Sequence, residues 1–149
     1  STMPEYRGLV MIDARKYLHD GDIPMALLRT AADLEYLLFL KLYFEKGIPL
    51  RLIDHWTLGK LIRWCIETKV IDNKWKPKLE AFCRLRNTVV HKRIFLDLVI
   101  NDKNKIKHTK EQIEQICDFI EAQKIKTSYK SELEREYSAY VSKKGGILD

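Results

Sequence analysis

The chain has little of what β-rich or disulfide-bonded proteins require. Its 149 residues include 6 glycines and 4 prolines, so few tight turns are available, whereas an all-β fold needs many. The three cysteines, Cys65, Cys83 and Cys117, are far apart and form no C-x-x-C pair. Neither a disulfide framework nor a zinc site is therefore indicated, and we expect buried, reduced thiols in a cytoplasmic protein.

A long hydrophobic run is also missing. The most apolar stretch, residues 36–44, is interrupted by Lys41 and is far shorter than the roughly 20 residues that a membrane span needs. The N-terminus lacks the charged, apolar and small-residue pattern of a signal peptide. We therefore expect no membrane partner.

The common catalytic and nucleotide-binding motifs are absent as well. The sequence contains no G-x-x-x-x-G-K-[ST] or G-x-G-x-x-G loop, no H-E-x-x-H pair and no G-x-S-x-G elbow. These absences argue against a P-loop or dinucleotide-binding protein, a zinc protease and an α/β-hydrolase. We expect no cofactor and no bound metal.

What the sequence does have is a globular composition with regular helix punctuation. Hydrophobic residues make up 46% and charged residues 32%, which excludes a disordered chain. The length suits one domain, since domains commonly run to about 100–200 residues. We predict a single domain over residues 1–149, with a core at about residues 4–125 and a helical extension and tail at residues 126–149.

The predicted fold is all-α, an up-and-down bundle of about five helices. Gly21 and Gly47 suit the positions after two helix ends, and Asp22, Asp72 or Asn73, and Thr109 suit N-caps. The predicted helices cover residues 4–18, 22–46, 55–69 and 72–95, and a long one from residue 109 onward. Helical spacing of apolar residues predicts the inward faces of the third and fifth helices: Leu58, Leu61, Ile62, Cys65 and Ile66 in the third, and Ile113, Ile116, Cys117, Ile120 and Ile125 in the fifth. Residues 97–108 read as a polar loop with a short β-ribbon at 98–100 and Ile106. Because residues 34–44 are apolar nearly all round, the second helix is either the centre of the bundle or a dimer face.

Positive charge is concentrated in one segment. The chain carries 27 basic and 21 acidic residues, for a net charge of +6. Residues 84–110 contain eight basic and two acidic side chains, and therefore account for the whole excess. Such a patch indicates either a solvated, lysine-rich surface or a contact with an anionic partner such as nucleic acid.

The predicted fourth helix places its charged residues unevenly. At about 100° per residue, Arg84, Asn87 and His91 share one polar stripe. Arg86 falls instead in the middle of the apolar arc, and His91 lies about 140° from it around the axis. The neighbours of Arg86 in projection are Leu79, Phe82, Val89 and Val90.

A guanidinium among aliphatic side chains is costly unless it is paired. One interpretation is a buried ion pair with Asp33 or Glu35 that fixes the helix register. The other is that the arc lies at a subunit seam or cleft, where Arg86 meets an anion. The sequence does not decide between them.

Arg86, Asn87, three further residues and His91, late in an all-helical chain, resemble the motif of the HEPN superfamily (higher eukaryote and prokaryote nucleotide-binding domains). That motif is Arg, four to six residues and His, with a polar residue commonly after the Arg. Residues 31–38 resemble the long early helix of the family, and residues 57–62 resemble its prokaryotic members. One toxin branch has Tyr two residues after the His, where this chain has Arg93.

The resemblance implies a helical bundle that dimerises so that two Arg–His motifs line one cleft. Many such proteins are metal-independent endoribonucleases that act as toxins, in defence or in RNA processing. The implied partners are RNA, a second copy of the chain and an antitoxin such as a nucleotidyltransferase-like protein. Other members have lost catalysis and only bind, so the alternative is a non-catalytic module for nucleotide, RNA or a partner protein.

The chemistry of RNA cleavage suggests a role for each residue. Without metal, the 2′-hydroxyl attacks the phosphate, which requires proton transfer and cations near the developing charge. His91 would transfer a proton or orient the 2′-hydroxyl, and Arg86 would hold the phosphate. Asn87 would position His91 or the phosphate. The candidate RNA-backbone contacts are Arg84, Lys92, Arg93, Lys103, Lys105 and Lys107.

Overall fold

A computed structural model describes residues 3–91 and 102–148 of the chain, and the side chains of residues 91 and 145–148 lie outside that description. Within these ranges the fold is an all-α bundle, as predicted, with one two-stranded ribbon, β1 (Tyr6–Arg7) and β2 (Ile125–Lys126). The helices are α1 (Ile12–His19), α2 (Ile23–Leu40), α3 (Leu50–Ile53), α4 (Leu58–Glu67), α5 (Lys76–His91), α6 (Lys103–Ala122) and α7 (Tyr129–Leu148). A π-helical segment, Lys41–Glu45, continues α2, and a 3₁₀ turn, Asn73–Trp75, precedes α5.

Helix α2 is the centre of the bundle and packs against α1, α4, α5 and α6. Its N-terminus is capped as predicted, because the Asp22 carboxylate accepts a hydrogen bond from the Met25 amide at 3.2 Å. Nine of its residues are buried, which explains why the sequence is apolar nearly all round there. The interpretation of α2 as a central helix is confirmed.

Two predicted helix ends are also confirmed. Gly21 and Gly47 have positive φ angles of 79° and 65°, the left-handed conformation that glycine adopts at no steric cost. Gly21 separates α1 from α2, and Gly47 follows the π-helical continuation of α2.

The first helix begins eight residues later than predicted. Residues Tyr6–Arg7 form a strand that pairs antiparallel with Ile125–Lys126. Gly8 then passes so close to α6 that a Cβ atom there would lie 1.9 Å from the carbonyl oxygen of Glu121. A strand partner more than 100 residues away leaves no local signal, so the sequence pattern could not reveal it.

The predicted third helix is α4, which begins at residue 58 rather than 55 and ends at residue 67 rather than 69. Thr57 caps it by accepting a hydrogen bond from the Lys60 amide at 3.2 Å. The short helix α3, which precedes it, was not predicted. The inward-facing positions were predicted correctly, since all of them are buried: Leu58, Leu61, Ile62, Cys65 and Ile66.

The polar loop predicted up to residue 108 is wrong over its described part. Helix α6 begins at Lys103, where the Asp102 carboxylate accepts hydrogen bonds from the amides of Asn104 and Lys105 at 2.9 and 3.2 Å. Thr109, the predicted cap, is instead buried inside the helix. Ile106 is helical, and the ribbon predicted at residues 98–100 lies outside the described residues.

The predicted long last helix is divided at the ribbon. Ile113, Ile116, Cys117 and Ile120 face inward as predicted, and Ile125 is buried in β2. Helix α7 then rests on the bundle through Tyr129, whose ring stacks on Phe44 at 4.2 Å between centroids. Among the described helices, none is both long and apolar enough to cross a membrane.

Candidate functional site

Helix α5 carries the candidate site and is held in the bundle by its apolar face. Its buried face consists of Leu79, Phe82, Leu85 and Val89. These residues pack α5 against α2, α4 and α6. Arg84 and Asn87 are exposed on the opposite side, as the helical projection predicted. The packing therefore fixes the direction in which the polar stripe faces.

Arg86 is only half buried, although it lies at the centre of the apolar arc. Val90, one turn further along the same arc, is 46% exposed. The bundle thus covers this arc at Leu79, Phe82 and Val89 and leaves it uncovered along the edge that holds Val90, with Arg86 partly covered. An uncovered arc of this kind suits a seam or cleft better than a closed core.

The buried ion pair considered for Arg86 is not formed with either candidate carboxylate. Asp33 is paired with Arg29, at 3.3 Å between the guanidinium Nε and Oδ2. Across residues 3–91 and 102–148, no carboxylate lies within 4.0 Å of the Arg86 guanidinium. Its hydrogen-bond partner in this part of the chain is a neutral amide: Arg86 Nη1 donates to Asn87 Oδ1 at 3.2 Å. Among the described residues, the positive charge of Arg86 therefore has no carboxylate partner.

Asn87 connects Arg86 to a cysteine. While its oxygen accepts from Arg86, its Nδ2 donates to Cys83 Sγ at 3.8 Å. Burial raises the pKa of the Cys83 thiol, and the nearby Arg86 charge and the Asn87 hydrogen bond only partly oppose this shift. Cys83 consequently remains a protonated thiol at neutral pH and acts as a structural contact rather than as a nucleophile.

His91 is the last residue of α5, in a helix that is continuous from Lys76. Its backbone lies five positions, or about 7.5 Å of helix rise, beyond Arg86. The His91 side chain, and the candidate contacts Lys92 and Arg93, lie outside the described residues.

The three candidate lysines of the predicted loop lie on helix α6 and are exposed. At 100° per residue, Lys103 and Lys107 fall within about 40° of each other, whereas Lys105 lies about 160° from both. Lys105 faces α5, because it lines a groove between α5 and α6 together with Arg84. The structure thus brings one of the three lysines to the site helix and directs the other two elsewhere.

Helix α5 is flanked by two grooves. The groove between α4 and α5 has a volume of about 640 Å³, and the groove between α5 and α6 about 490 Å³. Arg84 lines both of them. The other charged residues of these grooves carry no signal in the sequence, because their position beside α5 depends on the register between helices; they are Lys60, Arg63, Glu67, Lys76, Glu80 and His108.

No group of three or more His, Cys, Asp or Glu side chains that could hold a metal ion occurs among the described residues. The donors that converge on α5 are cations, an amide and a thiol. Groups of these kinds can bind anions through charge and hydrogen bonds.

Fold and site together define an all-α bundle with a cationic helix exposed between two grooves. In comparisons with known proteins, no family model, no curated protein and no solved structure matches the chain.

Proposed function

We propose that the protein is a metal-independent endoribonuclease that cleaves RNA by attack of the 2′-hydroxyl at an Arg86/His91 site. The observation that carries this proposal is the state of Arg86, which is half buried, hydrogen-bonded only to a neutral amide within the described residues, and on the helix that ends at His91. A toxin, defence or RNA-processing role, with an antitoxin as protein partner, belongs to the same proposal and rests on the HEPN resemblance.

The proposed reaction uses one proton donor and one proton acceptor. As the 2′-oxygen bonds to phosphorus, its proton passes to a base, and the departing 5′-oxygen receives a proton as its bond to phosphorus breaks. His91 is the candidate for one of these transfers. Arg86 stabilises the charge that develops on the phosphate oxygens, and Asn87 holds the guanidinium through its 3.2 Å hydrogen bond.

A dimer would supply the second histidine that the motif of one chain lacks. Arg86 and His91 lie about 140° apart around α5, so they face different directions, and the motif holds one histidine. A symmetric pair of chains would bring two histidines and two arginines to one cleft. The open arc at Arg86 and Val90 is the surface on which we place this contact.

We expect the protein to be a homodimer, with a mass about twice the 17.6 kDa of one chain. Light scattering coupled to size exclusion at micromolar concentration measures this mass. Val90→Asp should favour the monomer, because it places a charge in the proposed apolar seam. A wild-type monomer at this concentration would contradict the shared site.

We expect the wild-type protein to cleave single-stranded RNA at an undiminished rate in excess EDTA and to leave 2′,3′-cyclic phosphate ends. The reason is that the 2′-hydroxyl is the nucleophile and side chains transfer the protons. Denaturing electrophoresis and end-group analysis measure both results. The matched control is the same oligonucleotide with 2′-deoxy sugars, which should remain intact.

Three outcomes would count against the nuclease proposal. Loss of cleavage in EDTA, or products with 5′-phosphate ends, would contradict the mechanism. Salt-dependent RNA binding without any cleavage would instead identify the protein as a non-catalytic binding module.

A further inference from the structure

The groove between α5 and α6 has an apolar floor and a cationic rim. Its volume of about 490 Å³ lies within the roughly 300–1,000 Å³ of small-molecule sites. Ala81 and Leu85 supply apolar surface, and Arg84 and Lys105 supply positive charge. The remaining lining residues offer uncharged or weakly basic hydrogen-bonding groups: Asn104, His108, Thr109 and Gln112.

The balance of charge distinguishes this groove from the other one beside α5. The α4–α5 groove is lined by Glu67 and Glu80 as well as by cations, and Lys76 is already paired with Glu80 at 3.9 Å. Among the described residues, the α5–α6 groove is lined by no carboxylate. An anion entering it meets attraction from Arg84 and Lys105 and no carboxylate in the described lining; the Asp102 carboxylate lies outside the lining, bonded to the amides of Asn104 and Lys105.

The register of α6 shows which of its basic residues reach this groove. Lys105, His108 and Gln112 fall within about 60° of one another around the helix, and all three line the groove. Lys103, Lys107 and Lys110 lie on the opposite face. The six-residue extension of α6 beyond its predicted start is what creates this arrangement.

We propose that the α5–α6 groove binds one nucleotide of a single-stranded RNA. Arg84 and Lys105 hold its phosphate, the ribose or base lies against Ala81 and Leu85, and His108 donates a hydrogen bond to a phosphate oxygen. This inference rests on RNA as the ligand of the proposed function and gives the strand a path, since Arg84 belongs to the same polar stripe of α5 as Asn87 and His91. Contact with the apolar floor requires an unstacked nucleotide, so duplex RNA is excluded as the ligand.

The test measures binding of a fluorescent 2′-O-methyl RNA dodecamer by anisotropy at several salt concentrations. We expect Lys105→Ala to weaken binding about fivefold, and to reduce the slope of log K against log salt by about 0.7, the value for one phosphate contact on a single strand. Arg84→Ala should have the same effect. The matched control is Lys110→Ala, which removes the same charge from the opposite face of α6 and should leave the slope unchanged.

Equal effects of Lys105→Ala and Lys110→Ala would overturn the inference, because they would show attraction by net charge alone. Adenosine monophosphate serves as a competitor at the same nucleotide concentration. If it displaces the dodecamer as well as unlabelled RNA does, the groove is a free-nucleotide site and the RNA assignment is overturned.

This result is independent of the nuclease proposal, because a 2′-O-methyl strand cannot undergo 2′-hydroxyl attack. Groove-dependent binding without cleavage of natural RNA would support the inference and refute the nuclease. Cleavage of natural RNA, together with equal binding by the Lys105 and Lys110 variants, would support the nuclease proposal and overturn the groove inference.

Discussion

Replacing His91 by alanine is expected to slow RNA cleavage by a factor of about 10²–10⁴, the contribution typical of a positioned general acid or base. The imidazole is the group in the motif that exchanges a proton near neutral pH, and alanine offers no substitute. Single-turnover cleavage of a labelled oligoribonucleotide by equal amounts of wild type and variant measures the effect.

The control for this variant is His19→Ala. His19 is exposed at the C-terminal end of α1, outside the candidate site, so cleavage should proceed at the wild-type rate. RNA affinity of the His91 variant should stay close to that of wild type, because Arg84 and Lys105 still hold the strand. A His91 variant that cleaves as fast as wild type would remove His91 from the mechanism.

Two adjacent leucines on α2 should differ sharply in their contribution to stability. Leu27 is fully buried, whereas Leu28 is 40% exposed. Leu27→Ala is expected to lower the free energy of unfolding by about 2–5 kcal/mol, since it removes buried methyl groups and leaves a cavity. In a domain of this size that corresponds to a fall in Tm of about 10 °C.

Leu28→Ala makes the same chemical change one position along the helix and should cost less than about 1 kcal/mol. Urea unfolding of both variants, followed by circular dichroism, provides the comparison. Equal losses would mean that Leu28 is also covered, for example by a second chain, and a dependence on protein concentration would identify that case.

Local signals predicted most of the helices well. The caps at Asp22 and Asp72 and the left-handed glycines at positions 21 and 47 act within three or four residues, so the sequence carries them in full. The inward faces of α4 and α6 were predicted for the same reason, because apolar periodicity is a property of each helix alone.

Features that depend on distant residues were not predicted. The β1–β2 pairing joins Tyr6–Arg7 to Ile125–Lys126, and no local pattern marks that partnership. The start of α6 was missed because its first residues are polar on nearly all sides, and this composition was interpreted as a loop. Asp102 caps that helix with its carboxylate, a signal that was present in the sequence and was not weighed.

In the candidate site, too, the features set by local sequence were predicted and those set by distant residues were not. The polar stripe of Arg84 and Asn87 and the position of Arg86 in the apolar arc follow from the helical period, so the sequence predicted them. The groove that joins Arg84 to Lys105 and His108 depends on the register of α6 against α5. That register is set by packing between helices, and its residues could be found only once the start of α6 was known.

The width of the groove between α5 and α6 depends on the central helix α2. Helices α5 and α6 both rest on α2, so the spacing between Arg84 and Lys105 depends on the volume of side chains that touch neither of them. A buried substitution on α2 that adds or removes a methyl group would move the two walls apart or together. The width of the groove, and with it the fit of the proposed nucleotide, can therefore evolve without any change to the residues that line it.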